Sequence, residues 1–230
     1  MTLGRCACLL LFAGAVAGCT PHIPPQTAVE PVQAPADFPE AYYRQAEASG
    51  SNILRIDTKR SLVAIEVRRG GSLARLGHDH VVASRDVTGY VDMTAGRADL
   101  YVTLERLTVD EPGLRAEAGL TTQISVEAME GTRRNMLDKV LEAGRFPHAF
   151  IHVTREANER SKIRVTITLH DTVQTFEIPA QIESVAGGIK ISGQLAFNQT
   201  DFGITPFSVL GGAMQVQDRL NLRFQIFASR

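Results

Sequence analysis

The sequence predicts a mostly β protein, an antiparallel sandwich or closed barrel with one inserted helical segment. Apolar and polar residues alternate in five segments after residue 53, which places alternate side chains on opposite faces of a strand. Turn-forming residues such as Ala186-Gly187-Gly188 separate these segments. One stretch, residues 121–143, loses the two-residue period and carries apolar residues at helical spacing instead.

The first 18 residues have the layout of a secretory signal. Arg5 precedes an apolar run, residues 9–18, that is too short to span a membrane. The run Val16-Ala17-Gly18-Cys19 resembles the bacterial lipobox, whose cysteine receives a diacylglyceryl group. We therefore predict a lipoprotein signal peptide at 1–18 and lipidation of Cys19, with an ordinary cleaved signal as the alternative. Thr20 follows, where an aspartate would signal inner-membrane retention, so we expect a periplasmic protein anchored to the outer membrane through lipidated Cys19.

A proline-rich segment follows the predicted anchor. Six of the ten prolines lie between residues 20 and 39, and such a segment behaves as an extended spacer. We therefore predict a lipid-anchored tether over residues 19–50 and a single folded domain over residues 51–230. Glu40–Ala48, which contains Tyr42 and Tyr43, is the exception within the tether, since it alternatively forms a helical turn or docks on the domain.

Cysteine usage and charge exclude several classes of function. The three cysteines lie at or before Cys19, so disulfides, zinc sites built on cysteine and a cysteine nucleophile are excluded from the processed protein. The formal net charge of −1 gives no electrostatic reason to expect nucleic-acid binding. The sequence has no nucleophile elbow, phosphate loop or distinct carboxylate pair. We therefore expect neither catalysis nor a cofactor.

The alternating segments are mostly aliphatic on their apolar faces. They comprise residues 63–67, 98–104, 163–169, 189–197 and 220–226. The helical segment ends before Gly144, and Gly131 weakens its middle enough to allow two shorter helices. A helix inserted once into a β meander closes an end of the barrel or covers one face. Packing on the core without a gating role is the alternative.

His78 and His80 are the most distinctive polar feature. Residues two apart on an extended segment point the same way, so the two imidazoles would be able to share a metal ion while Asp79 points opposite. A pair hydrogen-bonded to backbone or carboxylate is the interpretation that we favour. The candidates for a third ligand, all dependent on the fold, are His148, His152, His170 and Asp201.

Four segments resemble, in order, the YceI-like proteins, which are periplasmic polyisoprenoid-binding domains. They are Ser61–Gly89 with Leu76-Gly77-His78-Asp79-His80, Thr132–Ile151 with Arg145-Phe146-Pro147, Val165–Pro179, and Phe197–Asp218 with Asp201-Phe202-Gly203-Ile204. The resemblance implies a lipocalin-like antiparallel β-barrel, extended by a helix, that encloses the isoprenoid tail of a quinone or polyprenyl compound. It departs at Asp171, where the family often has glycine, and it supplies no role for the His-Asp-His stretch.

We therefore expect a non-catalytic carrier or sequestering protein for an isoprenoid-type lipid, bound to the membrane through its anchor, with a homodimer allowed. Alternation alone does not distinguish a hollow barrel from a solid one. A metal-dependent or histidine-assisted enzyme acting at the lipid head group through His78 and His80 is one alternative, and an envelope scaffold with a solid barrel is another. The candidate ligand-binding residues are Val63, Ile65, Val67, Leu100, Val102, Leu104, Met129, Met136, Ile167, Leu169, Phe197, Phe202 and Phe207.

Overall fold

The computed structural model describes residues 34–155 and 161–230. The predicted signal peptide, Cys19 and the first part of the predicted tether lie outside the described residues. The described chain from Ala34 to Arg230 forms a compact unit. None of its described helices combines the length and the apolar character needed to cross a bilayer.

Strands account for most of the regular secondary structure of the described chain, which also has three short α-helices. The helices are α1 (Glu40–Ala48), α2 (Pro112–Glu117) and α3 (Val126–Asn135). The first strands are β1 (Ile53–Ile56), β2 (Leu62–Val67), β3 (Arg69–Gly70), β4 (His80–Ser84), β5 (Val87–Asp92), β6 (Arg97–Thr103) and β7 (Thr108–Val109). They are followed by β8 (His148–Thr154), β9 (Lys162–Leu169), β10 (Thr172–Val185), β11 (Gly188–Asn198), β12 (Ser208–Val209), β13 (Met214–Val216) and β14 (Arg219–Ser229).

Eight strands close an antiparallel barrel. Their order is β1-β5-β6-β8-β9-β10-β11-β14, and β14 pairs back with β1. β1 and β2 meet the same edge of β14, at Ile56↔Ala228 and at Leu62↔Gln225, because a turn at residues 57–61 interrupts one long strand. The predicted fold class, a mostly β antiparallel barrel with an inserted helical segment, is confirmed.

The inserted helical segment lies between β7 and β8 and differs in detail from the prediction. α3 begins only at Val126, because the Ser125 side chain accepts a hydrogen bond from the Ala128 amide and caps the helix there. A π-helical turn, Met136–Val140, follows α3, while Gly131 lies inside α3 and does not break it. α2 was not predicted; it begins at Pro112, at the first helical position, where the missing N–H of proline is tolerated.

The hairpin between β9 and β10 contains Asp171, the position at which the YceI-like proteins often have glycine. Leu169 pairs with Thr172, which leaves a two-residue loop. The φ angles of His170 and Asp171 are 54° and 56°, the left-handed values that a type I′ turn needs at both positions. Histidine and aspartate are among the non-glycine residues that adopt this region most readily. The departure at Asp171 therefore retains a tight turn.

Helix α1 docks on the outer face of the barrel. Tyr43 is 1% exposed, and its hydroxyl donates a 2.6 Å hydrogen bond to Asp99 on β6. The Phe38 ring packs edge-on against Tyr101, with ring centroids 4.9 Å apart. The folded unit therefore begins before residue 51, and the docked alternative for Glu40–Ala48 is the arrangement that the structure has.

Asp99 connects the docked helix to the barrel wall. Its carboxylate accepts hydrogen bonds from Tyr43, from Arg97 at 2.7 Å and from His152 Nδ1 at 2.7 Å. Burial raises the pKa of the Asp99 carboxyl, but the three hydrogen bonds outweigh burial and bring the pKa below its ordinary value.

Replacing Asp99 by asparagine is expected to lower the free energy of unfolding by about 1–3 kcal/mol at pH 7. Since the folded-state pKa is lowered, the stabilisation is fully present above the unfolded value of about 4 and is lost as the pH falls through the folded value. Urea unfolding at pH 7, 5 and 2.5 measures this. The difference between wild type and Asp99→Asn should shrink at the lowest pH, and a difference independent of pH would contradict the assignment.

Candidate functional site

The barrel is hollow. It encloses a cavity of about 420 Å³, within the range of about 300–1,000 Å³ typical of small-molecule sites. The wall consists largely of the aliphatic side chains that the strands direct inward. The structure therefore contradicts the alternative of a scaffold with a solid barrel.

Twelve of the thirteen predicted ligand-binding residues line this cavity. Their contact with a ligand stays a prediction, but the inward face of each strand is the one that alternation indicated. The residues in the wall are Val63, Ile65, Val67, Leu100, Val102, Leu104, Met136, Ile167, Leu169, Phe197, Phe202 and Phe207.

Met129 is the exception. It was predicted to line the cavity at the helical lid together with Met136, and the structure corrects this, because Met129 is not part of the wall. Only the last turn of α3 and the π-helical turn reach the cavity, through Thr132, Asn135, Met136 and Val140. Met129 lies in the first turn of α3, short of the wall. Arg133 fixes this position of the helix, because its Nε donates a 2.9 Å hydrogen bond to the carbonyl oxygen of Leu107.

The polar side chains in the wall gather at one end of the cavity. Ser84 is the exception among the described wall residues. Strand register defines this end, which we call the polar end: Val67 at the end of β2 pairs with His80 at the start of β4. Asn198 at the end of β11 pairs with Arg219 at the start of β14, next to which Asn221 pairs with Glu66 of β2. The remaining depth of the cavity is apolar, with residues such as Val91, Ile163 and Ile226 in its wall. The polar end consists of Arg69, His78, His80, Thr132, Asn135, Gln199 and Gln215.

His80 belongs to a buried charged cluster at the polar end. Its Nδ1 lies 2.6 Å from Asp110 Oδ2. The other carboxylate oxygen of Asp110 accepts hydrogen bonds from the Val81 amide at 3.0 Å and from Arg115 at 2.7 Å. The Asp110 side chain is 0% exposed and that of Arg115 is 9% exposed.

Hydrogen bonding decides the charge state of Asp110. Burial raises the pKa of its carboxyl, but the hydrogen bonds from His80, Arg115 and the Val81 amide outweigh burial and lower the pKa below its ordinary value. Asp110 is therefore an ionised acceptor. Its own backbone has a φ of 60°, the left-handed region that aspartate tolerates better than most residues.

Arg115 joins this cluster to two neighbouring segments. Its guanidinium donates to the carbonyl oxygens of Asp79 at 2.9 Å and of Thr122 at 2.6 Å. The cluster thus ties β4, α2 and the chain leading to α3 together. Sequence reasoning missed both Asp110 and Arg115, because no local spacing relates them to His80, which lies 30 residues from Asp110.

The histidine pair has the predicted orientation but no metal-ligand set. His78 and His80 both face the cavity, with ring centroids 6.4 Å apart, while Asp79 points elsewhere and accepts a 2.9 Å hydrogen bond from the Arg69 amide. No group of three potential ligands capable of holding a metal ion occurs among residues 34–155 and 161–230. Of the two rings, His80 bonds a carboxylate, as the interpretation that we favoured expects.

The four candidates for a third ligand lie elsewhere. Burial lowers the pKa of His148, which packs beside Tyr101. His152 bonds Asp99, His170 bonds Glu142 at 3.3 Å, and Asp201 caps the 3-10 turn Gln199–Phe202.

Comparison with known proteins agrees with this geometry. The family model of the YceI-like domain matches residues 54–228. None of the curated proteins matches the chain. Among solved structures, a polyisoprenoid binding domain from Saccharophagus degradans, implicated in plant cell wall breakdown, superposes with a TM-score of 0.55 at 12% identity, covering 76% of this chain and 97% of that one.

A second solved structure has the same fold. BcnA of Burkholderia cenocepacia superposes with a TM-score of 0.51 at 14% identity and covers 76% of this chain and 99% of its own. Identities this low establish the fold alone. The family match spans most of the chain and nearly the whole barrel, from β1 to β14. This chain therefore belongs to the family of YceI-like domains.

Proposed function

We propose that the protein binds an isoprenoid-type lipid inside the barrel and carries or sequesters it without changing it chemically. The division of the cavity supports this proposal most directly. An apolar chamber that ends in a small group of polar side chains suits a ligand with a long apolar chain and a compact polar head group. The Saccharophagus degradans domain of the same fold is described as polyisoprenoid binding.

The free energy for binding would come from the chain of the ligand. Removal of apolar surface from water contributes about 25 cal/mol per Å², and the wall offers branched aliphatic side chains along its whole depth. Phe197, Phe202 and Phe207 add aromatic surface near the polar end. A quinone or a polyprenyl compound fits this description.

Titration of the purified full-length protein with the methyl ether of geranylgeraniol tests the proposal. We expect saturable binding of one molecule per chain, because the ether supplies the isoprenoid chain without a donor at the head. An unbranched ether with the same number of chain carbons serves as the control for binding that depends on hydrophobicity alone. Absence of saturable binding of the isoprenoid ether would contradict the proposal.

We also propose that the protein acts in the periplasm, anchored to the outer membrane through lipidated Cys19. The sequence Val16-Ala17-Gly18-Cys19 and the following proline-rich segment support this location. Acyl chains contribute about 0.8 kcal/mol per buried methylene, so two or three chains hold a soluble domain at a bilayer.

Replacing Cys19 by alanine is expected to remove the lipid-anchored form from the membrane fraction. The variant should be found as soluble protein or as precursor that retains its signal peptide. Mass spectrometry of the wild-type N-terminus should show a diacylglyceryl-modified Cys19. Cys8→Ala is the matched control, since Cys8 lies within the predicted signal and is removed with it. An unmodified Cys19 in the mature protein would contradict the anchor.

A further inference from the structure

Binding of an apolar tail does not require the buried charged cluster that lies at the polar end of the cavity. Asp110 is fully buried and ionised, and its carboxylate accepts hydrogen bonds without being able to donate one. The proton in the 2.6 Å contact between His80 and Asp110 therefore belongs to Nδ1 of His80. A carboxylate that fixes a histidine ring in this way also fixes its tautomer.

The other ring nitrogen of His80 remains available. His80 Nε2 forms no hydrogen bond with a described residue, and the described residues contain no fully buried side-chain polar atom without a partner. Nε2 is therefore accessible, and His80 forms part of the cavity wall. In the neutral ring with its proton on Nδ1, Nε2 is a hydrogen-bond acceptor directed away from Asp110.

We propose that His80 Nε2 accepts a hydrogen bond from a hydroxyl group on the head of the bound lipid, so that the cavity selects isoprenoid chains ending in a hydroxyl. The proposal rests on the proposed lipid binding and names the head group. Asp110 acts as a positioning residue, since it reaches the ligand only through His80. His78, whose ring lies 6.4 Å from that of His80, lines the same part of the wall.

The charges at the polar end favour a hydroxyl over a phosphate. Arg115 is occupied by Asp110, by Asp79 and by Thr122. Arg69 is the one arginine or lysine among the described wall residues, and it donates a 2.6 Å hydrogen bond to the Gly77 carbonyl. A phosphate head group is bound most strongly by cationic donors that are free to reach it, whereas a single hydroxyl needs one acceptor.

Binding of geranylgeraniol and of its methyl ether to the full-length protein at pH 8 tests the proposal. The ether keeps the chain and removes the donor. We expect the alcohol to bind about tenfold more tightly than the ether to the wild type, in line with one buried hydrogen bond. His80→Phe should bind both ligands with equal affinity, because the ring is kept and the acceptor is lost.

His152→Phe is the matched control. His152 makes the same kind of 2.7 Å contact with a carboxylate, Asp99, but it does not line the cavity. This variant should retain the tenfold preference. A prenylated hydroquinone and its dimethyl ether form a second pair of ligands, which shows whether the favoured hydroxyl is aliphatic or phenolic.

Three outcomes of these titrations would overturn the assignment. Equal affinity of the wild type for alcohol and ether would remove the hydroxyl preference while leaving lipid binding intact. A preference that persists in His80→Phe would remove the role of His80. Tighter binding of geranylgeranyl phosphate than of the alcohol would replace a hydroxyl by an anion. Failure of every ligand to bind the wild type would instead refute the proposed function itself.

Nitrogen-15 NMR of the wild type provides a measurement that does not depend on any variant folding. We expect the neutral His80 ring to carry its proton on Nδ1. A wild-type ring protonated on Nε2 would overturn the proposal, since that nitrogen would then donate rather than accept.

Discussion

Replacing Ala149 by phenylalanine is expected to lower the affinity for a long isoprenoid ligand by more than 100-fold while the barrel remains folded. Ala149 lies on β8 opposite Val102, and its small side chain forms part of the cavity wall. A phenyl ring there occupies space that the ligand needs. Excluding about four methylene-sized groups from the cavity costs about 3 kcal/mol of binding free energy, at about 0.8 kcal/mol per methylene.

Thr175→Phe is the matched control for this blocking variant. Thr175 lies on β10 and is exposed on the outer surface of the barrel, so its replacement adds the same ring outside the cavity. The control should bind the ligand as the wild type does. Titration with the geranylgeranyl ether measures both, and undiminished binding by Ala149→Phe would show that the ligand lies elsewhere.

Replacing Asp110 by asparagine is expected to lower the free energy of unfolding by about 3–5 kcal/mol, because it leaves the buried Arg115 guanidinium without its counter-charge. Asparagine preserves the shape of the side chain and tolerates the φ of 60° at this position. The loss is therefore attributable to charge and hydrogen bonding and not to backbone strain. Urea unfolding at pH 7 measures it.

Glu177→Gln makes the same chemical change in an exposed ion pair. Glu177 lies 3.2 Å from Arg164, and the two side chains are 62% and 53% exposed. Exposed pairs contribute about 0–1 kcal/mol, so this variant should unfold almost as the wild type does. Equal effects of the two substitutions would mean that the His80–Asp110–Arg115 cluster does not carry the stability assigned to it.

The barrel could be predicted from the sequence because its signal is local. In β9, for example, Ile163, Val165 and Ile167 alternate with polar residues, and the structure directs all three into the cavity wall. The same pattern fits a filled core equally well. Alternation identifies the apolar face of each strand, but it does not give the distance between strands on opposite sides of the barrel. The cavity therefore had to come from the structure.

The polar end was predicted only in part, for a related reason. His78 and His80 are neighbours in sequence, so their shared direction followed from strand geometry. Asp110 and Arg115 reach His80 only because β7 pairs with β4 and α2 follows directly. Met129 failed as a lid residue because helical spacing gives the face of a helix but not which of its turns reaches the barrel.

The central claim is that the cavity holds an isoprenoid-type lipid in the native protein. Organic extraction and mass spectrometry of the protein purified from its native cells test this most directly, with Ala149→Phe purified in parallel. We expect about one isoprenoid molecule per wild-type chain and little in the variant. Wild-type protein without any isoprenoid, or the same amount in both proteins, would contradict the account.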